Sequence, residues 1–324
     1  MTPDLPTIAD IEAAAARIAP FVFRTPLLES AALNARVGGR IFLKPENLQR
    51  TGSFKIRGAT NRLLMIPEAD RGAGVVAFSS GNHAQGVAAA AASLGMGATI
   101  VMPADAPQAK LEGTRALGAQ IVTYDRHRED REAIAQQICD ARGAVLVRPF
   151  DDAGVVAGQG TMGLEIARDM PGLDLVAVPC SGGGLVSGIA LALSRFSPHT
   201  RVVSVEPQGF DGMRLSMESG ARSSAPAQGA SIADCLMAPT PGRVPFAISQ
   251  KLGLRGVAVS DAQMARAVSF AFRRLKLVVE PGGSAALAAL LAGKLEGQSI
   301  AIVLSGGNCD PETVARCCEE WPEP

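Results

Sequence analysis

Short apolar runs alternate with helical patterns along this chain, and this alternation restricts the possible folds more than any other feature of the sequence. The runs at 75–78, 98–102 and 175–178 are largely apolar, and a stretch with helical spacing follows each of them. Continuously apolar strands that are joined through helices are typical of parallel sheets covered by helices on both faces. The sequence therefore predicts an α/β fold with open, mostly parallel, twisted sheets.

The length and the order of these patterns predict two domains. A chain of 324 residues favours two domains over one. One series of strands and helices lies in the middle of the chain, and the other uses both of its ends. We therefore expect a smaller domain at 65–151 and a larger domain formed by 1–64 and 152–324.

Composition excludes several classes of protein. Apolar residues make up 47% of the chain, charged residues 19%, and the formal net charge is zero. Disorder, nucleic-acid binding and attachment to an anionic membrane are therefore not expected. The interval 72–104 lacks Asp, Glu, Lys and Arg, but the polar run at 79–83 and several glycines interrupt it. We interpret it as strand, loop, helix and strand, not as a membrane span.

Cysteines and histidines indicate the compartment and argue against a zinc enzyme. The six cysteines include no C-x-x-C pair, and no export peptide is evident at the acidic N-terminus. They are typical of reduced thiols in a cytoplasmic protein. The three histidines have no metal-ligand spacing, which makes a zinc hydrolase unexpected.

Lys55 is the first candidate for chemistry. Ser53 is a suitable N-cap for a helix that would start at Phe54, which places Lys55 in the first turn. The positive end of the helix dipole should lower the pKa of Lys55 and favour a neutral amine. A neutral, positioned lysine amine is what a Schiff base with an aldehyde requires. The alternative is an exposed lysine beside a helix cap.

The glycine-rich loop at 180–188 is the second candidate, and it follows a predicted strand and opens a helix. Successive glycine amides at a helix start can bind a phosphate. Tight packing of strand on helix is one alternative. Another is a dinucleotide site, because Gly182, Gly184 and Gly188 approximate the G-x-G-x-x-G fingerprint and Glu206 could bind the ribose. That spacing is one residue too long, and a nicotinamide oxidoreductase would leave Lys55 unexplained.

Two further loops, at 78–86 and 304–310, also follow predicted strands. The amides and serine hydroxyls of the first could hold a carboxylate, although His83 alone is more often structural. The simplest role for the loop at 304–310 is a turn. Open α/β sheets bind ligands at the carboxyl ends of their strands. An imine-forming amine, a phosphate cradle and a carboxylate cradle together indicate an aldehyde–phosphate cofactor that acts on an amino acid.

Six stretches of the chain together resemble one family. They are ENLQRTGSFKIRGA, SSGNHAQGVA, AGQGT at 157–161, SGGGLVSG, EPGGSAALAAL from Glu280, and LSGGN, in that order over nearly the whole chain. The chain is similar to the fold-type II pyridoxal-phosphate enzymes, in particular the threonine/serine dehydratase and serine racemase group. The resemblance implies the tryptophan synthase β-like fold and pyridoxal 5'-phosphate as cofactor.

The resemblance implies how the cofactor is held. Lys55 would bond to its aldehyde and later move the α-proton of the substrate, while Phe54 would lie against the ring. Asn82 would donate to the phenolic oxygen, and Ser305 would face the pyridine nitrogen. A serine hydroxyl there favours a neutral ring, which suits the expulsion of a β-substituent. The phosphate would be bound by the amides of Ser181, Gly182, Gly183, Gly184 and Leu185.

The resemblance also implies the reaction. Ser79, Asn82 and the amides near His83 would bind the substrate carboxylate, and Ser80 stands where racemases carry a second acid/base. L-Threonine would be dehydrated and deaminated to 2-oxobutyrate and ammonia, and L-serine to pyruvate and ammonia. A serine racemase or a 3-hydroxyaspartate ammonia-lyase is the alternative, and a homodimer or other homo-oligomer is expected. The sequence leaves the substrate and its stereochemistry open.

Three positions bear on cations and substrate choice. In the racemase-like branch two adjacent aspartates support a divalent cation, but Gly212 here replaces the second, which puts a metal at Glu206 in doubt. Cys235 stands where the family commonly has glycine and could crowd the edge of the cofactor. Arg131 is most simply part of a solvated helix face, although it could reach an acidic substrate such as 3-hydroxyaspartate.

Overall fold

Two sheets flanked by helices form the framework of the structure. The structure, a computed structural model, describes residues 3–106, 108–226 and 229–322. Its strands are β1 (Leu28–Glu29), β2 (Arg40–Pro45), β3 (Val75–Phe78), β4 (Ala98–Pro103), β5 (Gln120–Tyr124), β6 (Val145–Leu146), β7 (Leu175–Pro179), β8 (Arg201–Pro207), β9 (Arg255–Val259) and β10 (Ser299–Leu304). Its α-helices are α1 (Ile8–Ile18), α2 (Ala31–Val37), α3 (Lys55–Leu64), α4 (Asn82–Ser93), α5 (Gln108–Ala116), α6 (Arg131–Arg142), α7 (Ala153–Asp169), α8 (Gly184–Phe196), α9 (Gly212–Ser219), α10 (Arg243–Lys251), α11 (Asp261–Phe270), α12 (Ala285–Leu291) and α13 (Pro311–Glu320).

The strands pair almost entirely in parallel. One sheet has the order β1-β2-β10-β7-β8-β9 and the other the order β5-β4-β3-β6. The short strand β1 pairs antiparallel with β2, whereas β2 pairs parallel with β10 in the register Ser299 to Arg40. The predicted α/β fold with two mostly parallel sheets is therefore confirmed.

Both faces of each sheet are covered by helices. Leu43 packs with α11 and α12, while its neighbour Phe42 packs with α7 and α8 on the opposite face. In the smaller sheet, Ala77 faces α3 and α4, and Val76 faces α6. Successive strand residues point to opposite faces, which explains why these strands are apolar throughout and not alternating.

The uncharged interval 72–104 folds as its pattern predicts. It contains β3, a loop, α4 and β4 in that order, which confirms the interpretation as strand, loop, helix and strand. No helix among the described residues has the length and apolar character needed to span a bilayer.

The division into domains stays a prediction at the level of its boundaries. All strands of the smaller sheet lie between Val75 and Leu146, and the larger sheet uses both ends of the chain. However, Ile56 and Leu63 of α3 belong to the same core cluster as Val75 and Ala77 of the smaller sheet. Helix α3 therefore packs with the smaller sheet although it precedes residue 65.

The glycine-rich segment 154–163 lies within α7. A Cβ at Gly158 would lie 2.7 Å from the carbonyl oxygen of Arg57, and one at Gly160 would lie 2.9 Å from that of Gly188. These glycines let α7 approach α3 and α8 more closely than any side chain would permit. Close packing thus outweighs the low helix propensity of glycine.

A buried ionic network joins α3, β2 and α7. The Arg57 side chain is fully buried, and its Nε and Nη1 lie 2.8 Å from Glu46 Oε2 and 2.7 Å from Glu165 Oε1. Lys44 Nζ lies 2.5 Å from the other oxygen of Glu165. Burial alone would lower the pKa of Arg57, but Glu46 and Glu165 raise it above its usual value. Arg57 therefore stays charged and fixes the start of α3.

Candidate active site

Three loops that follow strands meet around one cavity. The loops after β3, β7 and β10 contribute residues 79–83, 180–185, 305 and 307–310 to its lining. The cavity has a volume of about 570 Å³ and is lined by residues of both sheets. This arrangement follows from parallel strands, whose carboxyl ends share one edge of a sheet.

The chain enters the cavity at Ser53, which does not have its predicted role. Its backbone is extended, with φ −160° and ψ 161°, and it forms an isolated antiparallel bridge with Gly306. Among the described residues its buried hydroxyl has no hydrogen-bond partner, so the prediction of Ser53 as the N-cap of α3 is wrong. Instead, the amide of Phe54 donates to the carbonyl of Ser305 at 3.1 Å. This pairing fixes the start of α3 against the loop after β10.

Lys55 projects from the first turn of α3 into the cavity. Its Nζ donates to the carbonyl of Pro149 at 2.8 Å and lies 5.2 Å from the centroid of the Phe54 ring. Burial lowers the pKa of Lys55 to about 8, and Cys235 and Glu280 oppose that shift. The pKa of Lys55 is thus lowered, as the sequence predicts, although burial is the largest cause of the shift. Lys55 is thus not the exposed lysine of the alternative interpretation.

The loop between β7 and α8 lines the same cavity. Gly183 adopts φ +91°, and a Cβ at Gly182 would lie 2.3 Å from the ring of Phe150. Within the described residues, no amide from Ser181 to Val186 donates to a protein oxygen. Unpaired amides at a helix start fit a phosphate group.

The start of α4 provides a second set of amides. Ser79 Oγ accepts from the amide of Gly81 at 3.2 Å, and α4 begins at Asn82. Ser79, Ser80, Asn82 and His83 all line the cavity. The His83 imidazole is buried, and its Nε2 lies 2.9 Å from the carbonyl oxygen of Val147. Burial lowers the pKa of His83 to about 3, so the ring is neutral at physiological pH.

Asn82 belongs to a hydrogen-bond network that includes Glu280 and Asn308. Asn82 Nδ2 donates to Glu280 Oε1 at 2.6 Å, and Asn82 Oδ1 accepts from Asn308 Nδ2 at 2.7 Å. Ser305 is buried, and it lines the cavity beside Glu280. Burial raises the pKa of the Glu280 carboxyl to about 7. The sequence alone assigns no role to Glu280, although an acid before Pro-Gly-Gly is a usable signal.

An ion pair crosses the cavity between the two sheets. Lys110 Nζ, on α5, lies 2.5 Å from Asp234 Oδ2, next to Cys235. Both residues line the cavity, and neither was predicted. In the described part of the chain, one group of metal-ligand side chains has its atoms within 4.8 Å of one another, namely Asp234, Cys235 and Glu280.

Glu206 lies outside the lining of this cavity. Its two carboxylate oxygens accept from the amides of Met213 at 2.9 Å and Arg214 at 2.8 Å, and burial raises its pKa to about 8. A ribose-binding acid has to face its ligand, so this geometry gives no support to the dinucleotide interpretation. A cation at Glu206 stays a prediction.

Arg131 lies at the mouth of the cavity and not on a purely solvated face. It is the first residue of α6, it lines the cavity, and its guanidinium carbon lies 5.4 Å from the centroid of the Phe78 ring. Stacking on an aromatic ring orients a guanidinium group without neutralising it.

Comparisons with known proteins agree with this geometry. Residues 18–306 match the family described as pyridoxal-phosphate dependent enzyme. The chain is 45% identical over 311 residues to an L-threo-3-hydroxyaspartate ammonia-lyase of Pseudomonas sp, a match that covers 94% of this chain and 96% of that protein. It is 42% identical over 312 residues to an L-threonine ammonia-lyase of Thermotoga maritima, with 96% of this chain and 77% of that protein covered.

Among solved structures, maize serine racemase has a TM-score of 0.92 to this chain at 37% sequence identity, with 98% of each chain covered. The matched region contains Lys55, the loop at 180–185 and the loop at 305–306. The chain therefore belongs to the family of pyridoxal-phosphate dependent enzymes.

Proposed function

We propose that this enzyme dehydrates and deaminates L-threonine and L-serine, releasing 2-oxobutyrate or pyruvate together with ammonia. The observation that carries the proposal is the placement of a lysine amine with a lowered pKa in the same cavity as a cradle of unpaired amides. The relatives named L-threonine ammonia-lyase and serine racemase support a small β-hydroxy amino acid as substrate.

The residues around the cavity fit pyridoxal 5'-phosphate. The amides of the loop at 181–185 would hold its phosphate, Phe54 would lie against its ring, and Asn82 and Ser305 would meet its phenolic oxygen and ring nitrogen. When bound, the cofactor supplies an electrophilic aldehyde and a sink for the electrons of the α-carbon.

Lys55 would act as the base. Once its amine is free, it removes the α-proton of the substrate, and its lowered pKa leaves a useful fraction neutral near pH 8. The amides at the start of α4, with Ser79, would fix the substrate carboxylate and so place the α-hydrogen toward Lys55. Ser80 would lie on the opposite face, where a second proton transfer would give racemisation. In the elimination reaction, Lys55 would pass the proton that it has taken up to the departing β-hydroxyl, which would leave as water.

A second candidate substrate is L-threo-3-hydroxyaspartate. Arg131 and Lys110 both line the cavity, and a guanidinium group can bind a second carboxylate in bidentate fashion. Lys110 is already paired with Asp234, which leaves Arg131 as the cation for this role. The relative of that name in Pseudomonas sp supports the same reading.

A substrate survey tests the proposal. The purified protein, loaded with pyridoxal phosphate, is incubated with L-threonine, L-serine and both diastereomers of 3-hydroxyaspartate, and 2-oxo acid release is measured by coupled reduction. We expect release from threonine and serine, while faster release from hydroxyaspartate would favour the second candidate. Chiral analysis of the remaining serine reports racemisation. Absence of oxo acid from every substrate would contradict an ammonia-lyase.

The cradle makes its own prediction, through Gly182→Ala. Because the new Cβ would lie 2.3 Å from the Phe150 ring, the ring or the loop must shift, which would disturb the arrangement of the amides. We expect the dissociation constant of pyridoxal phosphate to rise by about 10-fold or more, measured by titrating the apoenzyme. Gly113→Ala, at a helical glycine with nothing within 4 Å, is the matched control. Equal affinity in both variants would argue against the cradle.

Two further proposals follow from the resemblance. We propose that residues 65–151 act as a mobile unit that closes the carboxylate site over the substrate. The Lys110–Asp234 pair, which joins α5 to the segment before Cys235, would break and form with that motion. We also propose that the enzyme is a homo-oligomer.

A further inference from the structure

Glu280 is buried at the cavity, but the roles above do not use it. It is 3% exposed, and its amide donates to the carbonyl of Gly306 at 3.1 Å. Its carboxylate lies beside the loop that carries Ser305 and reaches Asn82 on α4. A buried carboxyl costs free energy unless its bonds compensate, so the network it joins needs an explanation.

The chain leaves room for this carboxylate through a glycine. A Cβ at Gly306 would lie 2.2 Å from Glu280 Oε1. A Cβ at Gly282 would likewise lie 2.4 Å from the sulfur of Cys235, and this sulfur lies within 4.8 Å of a Glu280 carboxylate oxygen. The glycines of the EPGG and LSGG stretches thus allow Glu280 and Cys235 to meet at the edge of the cavity.

The hydrogen bonds around Asn82 determine how its amide is oriented. Asn308 Nδ2 donates to the carbonyl of Thr51 and to Asn82 Oδ1, each at 2.7 Å. A carbonyl oxygen can only accept, so Thr51 fixes the nitrogen of Asn308, and Asn308 in turn fixes the oxygen of Asn82. The nitrogen of Asn82 must then face Glu280, at 2.6 Å.

One hydrogen of Asn82 remains available in this arrangement. An amide nitrogen carries two hydrogens, and within the described residues Asn82 Nδ2 makes a single hydrogen bond, to Glu280. Asn82 also lines the cavity. If Glu280 were lost, the carboxamide would keep only the bond to Asn308 and could turn this hydrogen away.

We propose that Glu280 is a positioning residue that, together with Asn308, holds the Asn82 amide so that its second hydrogen meets the phenolic oxygen of the cofactor. This inference rests on the proposed contact between Asn82 and pyridoxal phosphate. Glu280 does not touch the reacting atoms, and it acts through Asn82. The acceptor oxygen matters for this role, and its negative charge does not.

A double-mutant cycle on cofactor affinity tests the inference. Apoenzymes of wild type, Glu280→Ala, Glu280→Gln, Asn82→Ala and the Glu280→Ala/Asn82→Ala double variant are titrated with pyridoxal phosphate, and dissociation constants and visible spectra are recorded. Loss of the acceptor oxygen removes the bond that orients the second hydrogen of Asn82, so we expect Glu280→Ala to weaken binding by about 10-fold. Glu280→Gln keeps an acceptor oxygen for Asn82 and should stay within about 3-fold of wild type.

The cycle separates positioning from a purely structural role. If Glu280 acts through Asn82, the double variant should bind as Asn82→Ala does, because the two losses are not additive. Additive losses, or a Glu280→Gln variant as weak as Glu280→Ala, would overturn the inference. Thermal unfolding of each apoenzyme checks folding, and Glu280→Met replaces Glu280→Ala if the latter does not fold. Failure of the wild type to bind the cofactor would instead contradict the proposed function itself.

Discussion

Replacing Lys55 by alanine is expected to lower the rate of ammonia release from threonine or serine by at least about 10⁴-fold, because the substitution removes both a nucleophile and a base. It should also abolish the visible absorbance of the lysine–cofactor linkage. The pKa of about 8 explains why this lysine suits the role. At pH 7 it leaves about a tenth of the amine neutral, against less than about 0.1% at an ordinary lysine pKa.

The matched control is a second lysine of the same cavity. Lys110→Ala removes an amine that is paired with Asp234 and should leave the absorbance of the lysine–cofactor linkage in place. Borohydride reduction followed by peptide mass analysis should find the cofactor on Lys55 in wild type and in Lys110→Ala. Recovery of the reduced cofactor on Lys110 in either protein would show that Lys55 has been given the wrong role.

Replacing Arg57 by methionine is expected to lower the free energy of unfolding by about 3–5 kcal/mol, because removal of one partner from a buried ion pair leaves an uncompensated charge. Glu46 is fully buried and would lose its main cationic partner. Chemical denaturation followed by far-ultraviolet circular dichroism measures the change. Since Arg57 fixes the start of α3, cofactor affinity should fall as well.

The control for Arg57 is an exposed ion pair of similar geometry. Arg126 Nη2 lies 2.7 Å from Asp105 Oδ1, with side chains 47% and 61% exposed. Arg126→Ala should lower the free energy of unfolding by less than about 1 kcal/mol. An equally small loss for Arg57→Met would contradict the stabilising role of the buried ion pairs.

The direction of the pH dependence follows from Glu46. Burial opposes ionisation of Glu46, but Arg57, with smaller contributions from Thr25 and Lys44, outweighs burial and lowers the pKa of Glu46 in the folded wild type. Its contribution to stability is therefore present above the unfolded pKa and is lost at lower pH. Without Arg57, burial would raise the folded pKa of Glu46, so protonation would favour the folded variant. The difference in the free energy of unfolding between wild type and Arg57→Met should therefore decrease as the pH falls toward about 5.

Much of the site was predictable because its residues follow strands. Strand character is a local signal, and parallel strands bring their carboxyl ends to one edge, so the three loops around the cavity could be inferred from sequence. The resemblance then supplied roles that spacing alone does not contain, such as that of Ser305. Burial of Lys55 was not predictable, because it depends on Pro149 and other residues distant in sequence.

Tertiary contacts explain where the structure departs from local sequence signals. Ser53 carries a strong local cap signal, but its backbone pairs with Gly306, more than two hundred residues away. Gly158 and its neighbours have a low helix propensity, but the approach of α3 and α8 makes glycine the residue that fits. In both cases tertiary contacts outweigh local propensity. For the same reason, the sequence did not reveal the contacts of Glu280 or the Lys110–Asp234 pair, because the interacting residues come together only in the folded protein.

The pairing of β2 with β10 has a consequence for biosynthesis. Strand β2 leaves the ribosome early, whereas its parallel partner begins at Ser299. At about 5–20 residues per second, an interval of roughly 10–50 seconds separates the two strands. During that time Ile41, Phe42 and Leu43 are covered on one side only by the two-residue strand β1. A nascent chain of this protein thus carries an open, apolar strand edge until synthesis is nearly complete. A chaperone that binds at this stage would prevent the edge from pairing with other chains.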